Sequence, residues 1–188
     1  MRKKEYFKED LFMIIKNGQI ADPAAKRLYF SDLRIEDGKI LEISPSLTPR
    51  TGEEVLDAEG LIVAPGLVDT HVHFRDPGFT YKEDLHTGAL SAAKGGFTTV
   101  VCMANTSPVV DNAATLNDIL TRAENEDIHI CQAASVSHSL RGEEMTDMAA
   151  LKAAGACGFT DDGIPLRNAA FLYRAMEEAC ALDVPISL

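Results

Sequence analysis

Three things are scarce in this 188-residue sequence: close-set cysteines, basic clusters and long apolar runs. Its four cysteines, Cys102, Cys131, Cys157 and Cys180, stand 29, 26 and 23 residues apart with no Cys-x-x-Cys pair. That spacing argues against a disulfide framework or a cysteine metal knuckle. The thiols read as free groups in a reducing cytoplasm, each a small buried hydrophobe. Lys and Arg number 18 against 29 Asp and Glu, a net charge of −11, and past Met1-Arg2-Lys3-Lys4 there is no basic block. Such a surface repels polyanions, so nucleic acid is not an expected partner. Glu5, Lys8, Glu9 and Asp10 interrupt the basic start before any apolar segment of signal-peptide length can form. The longest apolar stretch, Leu61 to Val68, is broken by Pro65-Gly66 and falls well short of the ~20 residues of a membrane helix, so no membrane is expected either.

What is present is a globular balance, 46% hydrophobic and 25% charged residues, enough apolar side chain for a packed core. The first part alternates short β-like runs with turns: Phe12–Lys16 then Asn17-Gly18, Ser31–Glu36 then Asp37-Gly38, and Lys39–Ile43 then a loop holding Pro45 and Pro49. Asn-Gly and Asp-Gly between apolar alternations predict hairpins. Residues 1–62 therefore read as a small β-rich segment. Beyond them come strands over Gly66–Phe74, Thr98–Met103, Ile128–Ser135, Ala156–Thr160 and Val184–Leu188. Between these the three- and four-residue apolar spacing predicts helices over Lys82–Lys94, Ala113–Asn125, Met145–Ala154 and Asn168–Leu182. Continuous apolar strands alternating with such helices predict βα units around a parallel sheet buried on both faces. Residues 63–188 hold four units and the opening strand of a fifth, short of the ~250 residues of a complete (β/α)8 barrel. The expected fold is α/β, the first half of such a barrel. A chain ending inside a strand leaves an unpaired edge, so it reads as the front of a longer molecule that would aggregate or need a partner.

His71-Val72-His73 closes the first of these strands. Side chains alternate across a strand, so the two imidazoles project to one side and Val72 to the other. Two nitrogen ligands on one face make a metal clamp, at the strand end where barrel folds keep their catalytic groups. Two unrelated surface histidines are the plainer alternative. Asp161-Asp162-Gly163 follows the fourth strand, and by itself it reads equally well as a turn. Arg75 offers a planar fork for a carboxylate, against the alternative of a surface ion pair with Asp76 or Glu83. Asn105 offers both a donor and an acceptor, or is an ordinary loop residue before Pro108. His86 on the first helix, His129 at the far end of the third strand and His138 in the loop after it read as structural or solvated. Lys94 and Lys152 lie on helices, away from strand ends, and are poor candidates for carboxylation. Gly95-Gly96 reads as a helix stop.

The run Ala64-Pro-Gly-Leu-Val-Asp-Thr-His-Val-His-Phe-Arg-Asp-Pro-Gly78 resembles the signature of the amidohydrolase superfamily. Its Phe74-Arg75-Asp76-Pro77-Gly78 extension is similar to the long bacterial class of dihydroorotases. Met103-Ala104-Asn105-Thr106 and Gly158-Phe159-Thr160-Asp161-Asp162-Gly163, after the second and fourth strands, match in the same order, and the resemblance covers essentially the whole chain.

The resemblance implies a barrel flanked by a small β-sandwich to which the N-terminal segment contributes. It implies one or two zinc ions, with His71 and His73 on the first and Asp162 as the carboxylate that bridges the pair, Asp161 being the second choice. Asp162 is preferred because the family spacing puts the next histidine ligand immediately beyond Leu188. His73, Arg75 and Asn105 would contact substrate. The implied reaction is the reversible closure of N-carbamoyl-L-aspartate to dihydroorotate in pyrimidine synthesis. A bound cation assists it by bringing the pKa of water toward ~7 and polarising the amide carbonyl. The family's proton-shuttling carboxylate and second-metal histidines come from later strands, so no catalytic residue is assigned within this chain, and alone it is expected to be nearly inactive. A homodimer or aspartate transcarbamoylase is the implied protein partner. The alternatives are a non-catalytic scaffold, against which the intact His71, His73 and Asp162 argue, and an allantoinase or hydantoinase, against which Arg75 and the aspartate argue.

Overall fold

The computed structural model describes residues 12–188, so the basic start at Met1–Lys4 and the charged residues after it lie outside the described residues. The chain divides into two compact units, Met1–Pro65 and Gly66–Leu188.

The first unit contains strands β1 (Phe12–Lys16), β2 (Gln19–Asp22), β3 (Arg27–Phe30), β4 (Asp32–Glu36), β5 (Lys39–Ser44), β6 (Glu54–Asp57) and β7 (Ile62–Val63). They form one sheet in the order β5-β4-β1-β6 and another in the order β3-β2-β7. Ile14, Ile20, Leu33, Leu47 and Ala58 are its buried apolar residues. The Asp37-Gly38 turn joins antiparallel β4 and β5, and both of its residues have positive φ, 51° and 69°, as a tight primed hairpin requires. The hairpin expected at Asn17-Gly18 does not form. β1 is flanked by β4 on one side and β6 on the other, so no edge is free for β2, which enters the second sheet instead. Asn17 has positive φ while its side chain donates to Asp57 and its backbone N–H to Asp32. The boundary also falls later than position 62, because Ile62 and Val63 pair with β2.

Arg34 is the charged centre of this unit. Its guanidinium is buried and donates to Glu53 at 2.7 Å, to Glu42 at 2.7 Å and to the Thr48 carbonyl at 2.8 Å. That hydrogen bonding holds the Glu53 carboxyl below its ordinary value, against the upward push of burial.

The second unit alternates strand and helix: β8 (Leu67–Val72), α1 (Leu85–Lys94), β9 (Phe97–Cys102), α2 (Ala113–Ala123), β10 (His129–Gln132), α3 (Met148–Ala153), β11 (Phe159–Thr160), α4 (Ala169–Ala181) and β12 (Ile186–Ser187). β8, β9 and β10 pair in parallel, as do β11 and β12, and a single parallel bridge between Ala134 and Phe159 links the two sets. The helices open on Asp84, Asn112, Asp147 and Asn168, each of which accepts backbone N–H bonds from the first turn. α1 and α3 therefore start three residues later than the apolar spacing suggests, since Asp84 and Asp147 end the preceding loop. Val100, Val110, Leu116, Ile119, Met148, Leu151, Phe159 and Phe171 form the core of this unit.

Two expectations fail here. β8 is not buried on both faces: Leu67 and Val68 are more than half exposed, because among the described residues β8 pairs only with β9 and is an edge. Of the cysteines only Cys102 is fully buried: Cys131 and Cys157 are half-buried, and Cys180 is exposed, on the side of α4 away from buried Phe171, Ala175 and Ala179. All four cysteines are free, and burial pushes the Cys102 thiol up to about 12 and that of Cys157 to about 11, which disfavours the thiolate. No helix among the described residues is long and apolar enough to cross a membrane.

The Arg34–Glu53 pair sets an acid dependence. Glu53 has a folded pKa below its unfolded value of 4.5, so its contribution is complete above that value and is lost as pH falls through the folded one. Glu53→Gln should lower the urea midpoint near pH 7 and lose much of that deficit near pH 3, as measured by circular dichroism. A deficit that is the same at both pH values would contradict this.

Candidate metal centre

The strand ends of the second unit carry the chemistry. His71 is the penultimate residue of β8 and His73 follows its last, with their ring centroids 5.2 Å apart. The strand continues its ladder there, since Met103 N–H donates to the Val72 carbonyl at 3.0 Å. The loop behind His73 is tied down on two sides. Asp76 is buried and accepts from Arg122 of α2 at 2.7 Å and from the Leu85 N–H at 3.4 Å. Ser107 N–H donates to the Pro77 carbonyl, and Gly78 has φ +92° at a point where any Cβ would overlap the Ser107 carbonyl oxygen. The loops after β8 and β9 are thereby laced together, and they bring Asn105 beside His73.

On the far side, the buried side chain of Gln132 donates to the carbonyls of Cys102, Met103 and Ala133, binding the end of β9 to that of β10. Ala134 N–H donates to Gly158 and Thr160 N–H to Ala134, which carries the alignment on to β11. The two aspartates after β11 then part. Asp161 is buried and turns back, accepting the N–H groups of Val136 and Ser137 at 2.8 and 3.1 Å and the Ser137 hydroxyl. Asp162 turns forward, its own N–H held by the Thr160 hydroxyl at 3.0 Å.

The result is a three-residue cluster. Asp162 Oδ1 lies 3.3 Å from His71 Nε2, Asp162 Oδ2 lies 3.4 Å from His73 Nε2, and all three ligand atoms lie within 4.8 Å of one another. Ligands at about 2.0–2.1 Å from a tetrahedral zinc are separated by about 3.3 Å, so the donor types and the two nitrogen–oxygen separations suit that ion. Asn105 stands between two of them, with Oδ1 3.0 Å from His73 Nδ1 and Nδ2 2.9 Å from Asp162 Oδ2.

Of the residues singled out in the sequence, His71, His73, Asp162 and Asn105 meet here. Asp161 does not face the histidines. Arg75 is half-buried with positive φ, and among the described residues its side chain pairs with neither Asp76, which binds Arg122, nor Glu83, which accepts from the Thr87 hydroxyl. His86 pairs with Glu126, which raises its pKa, His138 lies 3.6 Å from Asp111, and His129 is exposed at the start of β10. Residues not anticipated are Asp69, which accepts the His71 N–H at 3.1 Å, together with Thr160, Gln132 and Arg122. Asp69 had a readable signal, since it shares the strand face of His71 and His73 by alternation. The others depend on tertiary contacts.

A family model described as dihydro-orotase-like matches residues 60–187. The dihydroorotase of Clostridioides difficile (strain 630) is 51% identical over 175 residues, which is 93% of this chain and 42% of that protein. The dihydroorotase of Streptococcus pneumoniae serotype 4 is 51% identical over 176 residues, 94% of this chain and 42% of that protein. The chain thus spans well under half the length of these relatives. Among solved structures, a D-hydantoinase superposes with a TM-score of 0.75 at 28% identity, over 93% of this chain and 39% of that one. The L-hydantoinase of Arthrobacter aurescens gives a TM-score of 0.78 at 23% identity over 95% and 40%, a likeness of fold.

The two aspartates should separate in experiment. Asp161→Ala removes three hydrogen bonds to a buried carboxylate and should cost on the order of 2–4 kcal/mol of stability. Asp162→Ala should change stability by less than about 1 kcal/mol and weaken zinc binding. Urea unfolding paired with zinc titration measures both, and equal stability losses would contradict the division.

Proposed function

Since the chain belongs to the dihydro-orotase-like family, we propose that it carries the first metal-binding side of a zinc-dependent cyclic amide hydrolase, one that interconverts N-carbamoyl-L-aspartate with dihydroorotate and water. The observation that carries this reading is the convergence of His71 Nε2, His73 Nε2 and Asp162 at the carboxyl ends of parallel strands. His71, His73 and Asp162 would hold the zinc, and Asp162 has two oxygens with which to bridge a pair. When bound, the ion supplies Lewis-acid polarisation of the amide carbonyl and a more acidic water.

The remaining chemistry belongs to substrate recognition. Dihydroorotate carries a carboxylate, and Arg75, free of Asp76 and Glu83, would bind it through two parallel N–H bonds. His73 and Asn105 would border the ring. Ring opening breaks the amide C–N bond and puts a proton on the departing nitrogen, and no residue of this chain is assigned to that transfer. In the complete architecture the parallel sheet would be the first half of a barrel and the first unit part of a flanking β-sandwich. The free thiols suit a reducing, cytoplasmic setting. A second copy or aspartate transcarbamoylase would be the protein partner. The hydantoinase likeness favours a second reading, a hydantoin or dihydropyrimidine as the cyclic amide.

Zinc content and calorimetric titration of the 188-residue protein test these readings. Wild type should bind zinc, His71→Ala and His73→Ala should lose it with the fold intact, and Arg75→Lys should keep zinc but bind dihydroorotate about ten-fold more weakly. Absence of zinc in wild type, zinc retained in both histidine variants, or tighter binding of hydantoin than of dihydroorotate would overturn the assignment.

A further inference from the structure

Asn105 is committed at both ends of its amide. Two oxygens of Asp162 face its Nδ2, the carboxylate Oδ2 at 2.9 Å and the main-chain carbonyl at 3.4 Å. An ionised carboxylate and a carbonyl only accept, so the amide end facing them must be the NH2 group. Turned round, the amide would set its own oxygen against two others. Asn105 Oδ1 is therefore the atom that faces His73 Nδ1, at 3.0 Å. Oδ1 cannot donate either, so the contact is a hydrogen bond only when Nδ1 carries the hydrogen. A neutral imidazole has one N–H, and with it on Nδ1 the lone pair stays on Nε2, the atom that belongs to the His71–Asp162 cluster. The competing arrangement, Nε2–H donating to Asp162 Oδ2, spans a longer 3.4 Å and would oppose two lone pairs at 3.0 Å between Nδ1 and Oδ1, whereas the Nδ1–H form opposes Nε2 to a carboxylate oxygen only at 3.4 Å.

From this chain of donors and acceptors we infer that Asn105 is a positioning residue for the metal centre. Asp162 orients its amide, and the amide fixes His73 in the Nδ1–H tautomer that presents Nε2 as a ligand. The metal part of this inference rests on the zinc reading above, while the tautomer part does not. It also gives Asn105 a task apart from contact with substrate, since an amide engaged at both ends must break a bond within the protein to reach one. An outer partner of this kind fixes both ring orientation and tautomer, and its loss costs about 10–100-fold in metal affinity.

The test uses nitrogen-15 long-range correlation spectra of the zinc-free 188-residue protein with its imidazoles neutral, and zinc affinity from competition with a chromophoric chelator. Wild-type His73 should show the Nδ1–H form. Asn105→Ala should lose the tautomer preference and bind zinc about 10–100-fold more weakly. An Nε2–H ring in wild type overturns the inference without reference to any variant. So does an Asn105→Ala protein with wild-type tautomer and zinc affinity within about two-fold. Failure of wild type to bind zinc would sink the zinc reading, while the wild-type and Asn105→Ala spectra would still decide whether Asn105 sets the tautomer.

Discussion

Groups on β8, after β9 and after β11 can meet only if the strands between them run parallel with their carboxyl ends in line. A parallel ladder enforces this, because every strand enters at one end and leaves at the other, with the return made by a helix. Val72 pairs with Cys102 and Cys102 with Gln132, so the register passes from the histidine strand to its neighbours within a residue or two of the site. The weakest join is that between β10 and β11, a single bridge at Ala134–Phe159. It is there that Asp161 binds back to Val136 and Ser137. Adjacent carboxylates thus divide the labour: Asp161 secures the strand end and Asp162 uses it.

Much of this was legible in sequence because it depends on local periodicity. Alternation alone puts His71 and His73 on one face of a strand, and the three- and four-residue apolar spacing locates all four helices of the second unit. Family spacing, not chemistry, favoured Asp162 over Asp161. The physical reason appears only in three dimensions, in the N–H groups that one of them captures. Asn17-Gly18 makes no hairpin because turn chemistry sets what a dipeptide can do and not whether the strand beside it has a free edge. Leu67 and Val68 have the apolar character of a buried strand, yet burial depends on what covers them. The two-ended engagement of Asn105 could not be read either, since it needs His73 and Asp162 in place together.

The likeness to dihydroorotases is close in sequence and that to hydantoinases close in fold. Arg75 is held in a loop that Asp76, Arg122, Gly78 and Ser107 fix from behind, and among the described residues its guanidinium pairs with neither Asp76 nor Glu83.

His71, His73 and Asp162 would together form one metal site. X-ray absorption of the zinc-loaded protein should then show two imidazole nitrogens and carboxylate oxygen at about 2.0–2.2 Å, with no sulfur. A sulfur shell at about 2.3 Å, or oxygen scattering with no imidazole signature, would contradict it.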